Sequence, residues 1–311
     1  MSEAETTLAR LIQNVEKVII GKRQVIELAA VTLLCRGHLL IEDVPGTGKT
    51  MLARAMAKSI ALKAKRLQCT PDLLPSDITG VPIFNQRSGE FEFRPGPVFT
   101  NILLADEINR ATPRAQSALL ECMEEFQVSV DVQTYALPEI FMVLATQNPI
   151  ELAGTYVLPE AQLDRFFMRL HVGYPGIDEE LRIVHAQADH HPLDDIEAVV
   201  DAQAIVAARG AVRAVHVDAA VARYGVEICA ATRRHPDLRL GVSPRGTLAL
   251  VRAAQGMALL SGSPFVTPAQ VKAVAAPVLL HRLILQPRAV AQGRDAAAIL
   301  DEVMRDVLPP V

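Results

Sequence analysis

No uninterrupted apolar run in the 311 residues approaches the roughly 18 needed to cross a bilayer, so no integral membrane segment is expected. Cysteine is scarce. Cys35, Cys69, Cys122 and Cys229 stand far apart, with no C-x-x-C pair and no ligand-like spacing to a histidine. That pattern argues against a disulfide framework or a thiolate metal site and suits small core residues in a reducing compartment. Neither sign of charge is in excess: the formal net charge is −4. Without a broad basic surface, nucleic acid is not an expected partner, although a local basic loop remains open. The opening Met1-Ser2-Glu3-Ala4-Glu5 is acidic and runs into an amphipathic pattern instead of an apolar signal-peptide core, so the expected site of action is the cytoplasm.

What the chain has in quantity is apolar residues, 50% of the total, enough to bury a sizeable core and to build two domains. The stretch His38 to Thr50 organises the rest. Leu39-Leu40-Ile41 reads as a short buried strand, Val44-Pro45-Gly46-Thr47-Gly48 as a glycine-containing turn, and Lys49-Thr50-Met51 as the opening of a helix. Such a turn lets backbone N–H groups close around an anion, and the helix start adds its positive dipole end. Lys49 would supply charge to the β- and γ-phosphates, and Thr50 stands where Mg²⁺ is held. Asp43 occupies the place of the first glycine of the usual spacing, so its carboxylate must point away from polyphosphate.

Upstream, Leu8, Leu11, Ile12 and Val15 recur at helical spacing, and a second helix runs through Leu33. Between them Ile20-Gly21 serves either as a wall for an adenine ring or as a plain turn. Downstream, Arg66-Leu67-Gln68-Cys69 reads as a strand, and Val81 to Phe99 as a β-hairpin turning at Ser88-Gly89. Ile102 to Ala105 is a continuous apolar strand ending in Asp106-Glu107, with Asp106 placed to hold Mg²⁺ and Glu107 to act as general base toward water. A helix from Pro113 to Glu125 and a second hairpin from Val128 to Leu137 lead into the buried strand Ile140 to Thr146. It ends at Gln147-Asn148-Pro149, where Asn148 suits a γ-phosphate or water sensor because an amide both donates and accepts. Asn148-Pro149 as a mere turn starter is the alternative.

In order and spacing, the chain resembles the MoxR-type AAA+ ATPases over nearly its whole length. Gly46, Gly48, Lys49 and Thr50 match Walker A, Asp106 and Glu107 match Walker B, Asn148 matches sensor 1, and Ser243-Pro244-Arg245 matches sensor 2. The two hairpins match the inserts of this branch of the superfamily. Leu163-Asp164-Arg165-Phe166 matches the segment that carries the arginine finger, which implies that Arg165 reaches a neighbouring subunit's nucleotide. A structural pairing of Arg165 with a carboxylate stays open, with Arg110 and Arg114 as the next candidates for the finger. The resemblance implies an α/β P-loop core with a parallel sheet at residues 1–174 and a smaller α-helical lid at 175–311. It implies ATP and Mg²⁺ as cofactors, with Ile20, Gly21, Val44 to Met51, Asp106 and Arg245 as binding residues. It also implies a homo-oligomeric ring of six subunits, protein clients and a von Willebrand factor A-domain partner. Whether Arg245 serves its own subunit or a neighbour stays open.

From about Pro175 the apolar residues fall at helical spacing with no further strands of consequence, as a lid requires. Ser243 is positioned to cap a helix whose first turn contains Pro244 and Arg245. His185, His190 and His191 lack clearly spaced carboxylate or thiolate partners and read as a solvated face more than as a metal site. The alternatives to a chaperone-like ATPase are a scaffold gated by ATP with little turnover, and a motor subunit of a metal chelatase or nucleic-acid-remodelling complex.

Overall fold

The computed structural model describes residues 2–44, 46–130, 133–148, 155–187 and 190–310. In chain order the first half contains α1 (Glu3–Glu16), α2 (Arg23–Leu34), β1 (Leu39–Glu42), α3 (Lys49–Ser59), β2 (Ala64–Gln68) and α4 (Pro75–Thr79). The hairpin β3 (Gly80–Asn85) and β4 (Glu90–Pro95) follows, then β5 (Ile102–Asp106), α5 (Pro113–Glu125), a second hairpin β6 (Gln127–Val130) and β7 (Gln133–Ala136), and β8 (Met142–Gln147). After α6 (Glu160–Leu163) and β9 (Met168–Leu170) come α7 (Ile177–Ala186), α8 (Pro192–Asp195), α9 (Ala202–Ala214), α10 (Ala219–Arg234), β10 (Leu238–Leu240) and α11 (Pro244–Leu260). The chain closes with α12 (Pro268–Leu279), β11 (Ile284–Leu285), α13 (Pro287–Ala291) and α14 (Ala296–Asp306).

β1, β2, β5, β8 and β9 form one sheet in the order β2-β5-β8-β1-β9, with every pairing parallel. Alternate residues of each inner strand enter different cores. Leu39, Ile41, Ile102, Leu104, Met142 and Leu144 pack on the face covered by α1 to α3, while Leu40, Leu103, Ala105, Phe141, Val143 and Ala145 face the α5 side. A strand buried on both faces must be apolar at every position, which is why β5 and β8 read as unbroken runs. β2 lies at the edge and keeps Lys65 and Arg66 exposed, as an edge strand tolerates. The connections leaving β1 and β8 run in opposite directions along the sheet, so the crevice outside their carboxyl ends is a topological switch point, the usual ligand position of such sheets.

The expected hairpins are present, with register Asn85↔Glu90 in the first and Val130↔Gln133 in the second. Residues 131–132 lie outside the described residues. The hairpins meet: the Phe93 ring stacks on Tyr135 with centroids 4.1 Å apart and also contacts Phe99 edge-on. At the first hairpin, Phe84 and Phe91 pair edge-to-face while staying largely exposed.

The region after Pro175 is mostly helical, with one correction to the sequence reading. Leu238–Leu240 and Ile284–Leu285 pair as a short antiparallel ladder, and Met168–Leu170 adds β9 beside β1 where the sequence marks no strand. These strands are too short to leave a period. A second finding concerns the N-terminus: α1 and α2 pack against α9 and α11, so one apolar cluster runs from the sheet through the first two helices into the later ones. The buried Arg209 of α9 staples this junction by donating to the carbonyls of Leu33 and Glu139, and burial lowers its pKa to about 10. Among the described residues no helix is long and apolar enough to cross a membrane.

Candidate nucleotide site

β1 delivers the glycine turn to the carboxyl edge of the sheet. Gly46 and Gly48 both sit at φ +87°, a region costly for residues with a side chain, and a Cβ on either would meet nothing within 4 Å. The glycines are thus needed for the backbone path, and the space beside them is open for a ligand. Gly48 is the N-cap residue of α3, whose unpaired N–H groups face the same space. Thr47 donates its hydroxyl to the Val44 carbonyl. Pro45 lies outside the described residues.

A cleft of about 370 Å³ opens there, lined by Gly46, Gly48, Lys49, Thr50, Met51, Asp106, Glu107 and Asn148, together with Arg66, Gln68 and Thr146. The first eight were read from the sequence; the last three were not. Their signal is topological: β2, β5 and β8 are parallel neighbours, so polar residues at their carboxyl ends share one rim. Gln68 is the register partner of Asp106, and Thr146 follows the Ala105↔Ala145 pair.

The rim residues bind one another. Thr146 donates its hydroxyl to Asp106 Oδ1 at 2.6 Å and accepts the Glu107 N–H at 2.8 Å, fixing both acids to β8. Arg66 contacts Asp106 Oδ2 at 2.6 Å, and Glu107 Oε2 receives Gln68 Nε2 at 3.0 Å and Arg110 Nη1 at 3.1 Å. Glu107 itself has φ +56°, an uncommon conformation for a residue with a side chain and one that clusters at functional sites. Lys49 Nζ donates to the carbonyls of Asp43 and Val44 at 2.9 and 2.8 Å. Partial burial lowers its pKa, against the opposing pull of Asp43, Asp106 and Glu107.

The donor set fits a magnesium polyphosphate. An ammonium and helical N–H groups face the cleft beside an oxygen-bearing pair, Thr50 and Asp106, of the kind a hard divalent cation prefers. Asp43 does point away, accepting the N–H groups of Val44, Val172 and Gly173. Val44, Ile20 and Gly21 are not among the residues lining this cleft. At Gly21 a Cβ would lie 2.1 Å from the Glu179 carboxyl group of α7, so this turn is closed over by the start of the helical region.

Arg165 and Arg245 lie elsewhere. Both pair with one carboxylate, that of Glu124 near the end of α5, Arg165 at 3.1 Å. They line a second pocket with Arg36, Gly37 and His38, at the start of β1. The P-loop leaves the other end of that four-residue strand, about 13 Å away at 3.3 Å per residue. Arg245 therefore stands away from the phosphate loop of its own subunit. The cause is a tether: Ser243 caps α11 as expected, through the Gly246 N–H, but its hydroxyl also donates to Asp164, holding the start of α11 at the α6–β9 corner. Buried Arg282 reinforces the corner by binding Asp164 at 2.8 Å and the carbonyl of Phe166. Of the histidines, His190 binds Asp195 and His191 accepts the Leu193 N–H to cap α8.

The family profile described as "ATPase family associated with various cellular activities (AAA)" matches residues 38–168, and the one described as "AAA lid domain" matches residues 230–303. The chain is 49% identical over 304 residues to the uncharacterised protein YeaC of Bacillus subtilis, covering 98% of this chain and 95% of that one. It is 39% identical to the protein named Chaperone MoxR1 of Mycobacterium tuberculosis, covering 98% and 82%. Protein MoxR of Paracoccus denitrificans is 35% identical, with 87% and 86% covered. A crystal structure from Cytophaga hutchinsonii superposes with a TM-score of 0.92 at 37% identity, covering 99% of this chain and 96% of that one.

Proposed function

The chain belongs to the MoxR family of AAA+ ATPases, and from that premise we propose that it hydrolyses Mg·ATP at the interfaces of a homo-oligomeric ring and applies the resulting motion to protein clients. The observation that carries the reading is the split of the machinery. Lys49, Thr50, Asp106, Glu107 and Asn148 surround one cleft, whereas Arg165 and Arg245 sit together at the far edge of the sheet. One subunit then holds the nucleotide and the next supplies the positive charge.

In this scheme the backbone of Gly46 to Gly48 and the ammonium of Lys49 bind the phosphates, Lys49 leaving the carbonyls of Asp43 and Val44 to do so. Thr50 and Asp106 would hold Mg²⁺, with Thr146 orienting Asp106. When bound there, Mg²⁺ would supply the charge that neutralises the phosphates. Glu107 accepts a proton from the attacking water, for which its carboxylate must leave Gln68 and Arg110. Asn148 orients that water, and a neighbour's Arg165 stabilises charge on the transferred group.

The proposed division is an α/β core at 1–174 and a helical lid at 175–311, joined between β9 and α7. A chaperone-like role in maturing clients or inserting their cofactors, with a von Willebrand factor A-domain partner and a hexameric ring, extends this reading. The name of the M. tuberculosis relative supports the first of these. Steady-state phosphate release from purified protein tests the proposal: turnover that rises more than linearly with protein concentration supports interface hydrolysis, and ATP binding without turnover points to a nucleotide-gated scaffold.

A further inference from the structure

The residue that departs from the usual phosphate-loop pattern is also the one that ties the loop to the helical region. Asp43 follows β1 directly. Its N–H donates to the Gln147 carbonyl of β8, and its own carbonyl accepts Lys49 Nζ at 2.9 Å. Its carboxylate takes three backbone donors: Val44 N–H on Oδ1 at 2.8 Å, and Val172 N–H and Gly173 N–H on Oδ2 at 2.9 and 2.6 Å. A glycine here would leave both linker amides without that acceptor.

The two linker residues occupy the crossing between β9, which ends at Leu170, and α7, which begins at Ile177. Val172 is buried, and Gly173 sits at φ +65°, where glycine rotates freely. The neighbouring Tyr174 carbonyl accepts Lys22 Nζ at 2.8 Å, and His171 Nδ1 bonds the Glu42 carbonyl. No described residue of α7 is buried, so the crossing is held by the buried Val172 and by these polar ties at its start.

We propose that Asp43 is a positioning residue that transmits the state of the phosphate cradle to the linker on which the helical lid turns. This rests on reading the cradle as a nucleotide site. Lys49 now sits on the peptide carbonyls of Asp43 and Val44; phosphates draw the ammonium off them and bring negative charge toward the Asp43 carboxylate. That carboxylate cannot swing toward the ligand without losing three N–H donors, each a charge-assisted bond of the stronger class. It stays on Val172 and Gly173, and the shift of the loop is carried into the linker, where Gly173 absorbs the rotation.

The test is hydrogen exchange of peptides covering residues 170–176, with and without ATPγS and Mg²⁺, in the wild type, Asp43→Gly and Asp43→Asn. The wild type should show slow exchange that changes on ligand addition. In Asp43→Gly the linker amides should exchange roughly tenfold or more faster, and the ligand-dependent difference should vanish although the protein still binds ATPγS. Asp43→Asn keeps a carbonyl acceptor but loses the charge and should fall between, which carries the test if Asp43→Gly does not fold. A purely local structural role would speed exchange yet preserve the ligand-dependent difference, and that result overturns the proposal. Failure of the wild type to bind ATPγS would instead remove the nucleotide reading on which it rests.

Discussion

Arg165 and Lys49 stand at opposite edges of one parallel sheet, the first just before β9 and the second just after β1, although those two strands are neighbours. In a parallel pair the starts lie together and the ends lie together. A residue preceding one strand is therefore kept from a residue following the other by the length of the strand.

Mixing should exploit that separation. Lys49→Ala and Arg165→Ala proteins should each be nearly inactive, the second by on the order of 10³-fold if its guanidinium serves as a finger. Mixed, they would form some interfaces with an intact cradle facing an intact Arg165, so phosphate release should exceed the sum of the separate samples and fall away on dilution. Normal turnover by Arg165→Ala alone would assign Arg165 to its pairing with Glu124 and send the search to Arg110 or Arg114.

Lys49 and Glu107 should separate binding from chemistry. Lys49→Ala removes phosphate charge and should weaken binding of a fluorescent ATP analogue. Glu107→Gln preserves the contacts to Gln68 and Arg110 in shape, so it should bind as tightly as the wild type while releasing almost no phosphate. Equal loss of binding in both variants would contradict this division of labour.

Arg66 should compete with the cation for Asp106. Its pair is half exposed at the arginine, a class worth at most about 1 kcal/mol. Arg66→Ala should accordingly lower the Mg²⁺ concentration needed for half-maximal ATPγS binding, by no more than about fivefold. A higher requirement in the variant would show that Arg66 assists the ligand instead of standing in for the metal.

Acid should destabilise the fold through buried histidine. His38 accepts the Val143 N–H at Nδ1, so Nε2 carries the proton and donates to the Met123 carbonyl at 2.9 Å. Burial lowers its pKa to about 4, and His281 is lowered well below its ordinary value by burial and by Arg282. As pH falls below about 6.5 the unfolded chain takes up protons that the folded chain refuses, so stability present above 6.5 is lost toward pH 4. For His38 the loss is on the order of 3 kcal/mol. Denaturant midpoints between pH 7.5 and 4.5 should fall accordingly. His38→Gln should start lower and fall less steeply, and parallel curves would remove His38 as a cause.

The sequence made the P-loop, the β5 acids, both hairpins and α5 legible because each carries its own period or turn chemistry. It left Arg66, Gln68 and Thr146 silent, since their place in the site comes from strand order and register. β9, β10 and β11 span two or three residues each, less than any pattern can mark. The position of Arg245 was hidden for a different reason: its helix cap is local and readable, but the bond from Ser243 to Asp164 crosses from one half of the chain to the other.

The Phe93–Tyr135 stack joins hairpins that leave the chain on opposite sides of β5, one before that strand and the other after α5. Any tilt of α5 relative to β5 is therefore applied to a closed linkage, like a four-bar frame with the ring stack as its far joint. The exposed Phe84 and Phe91 thus connect to Asp106-Glu107 by two routes, one through β4 into β5 and one through the ring stack, β7 and α5.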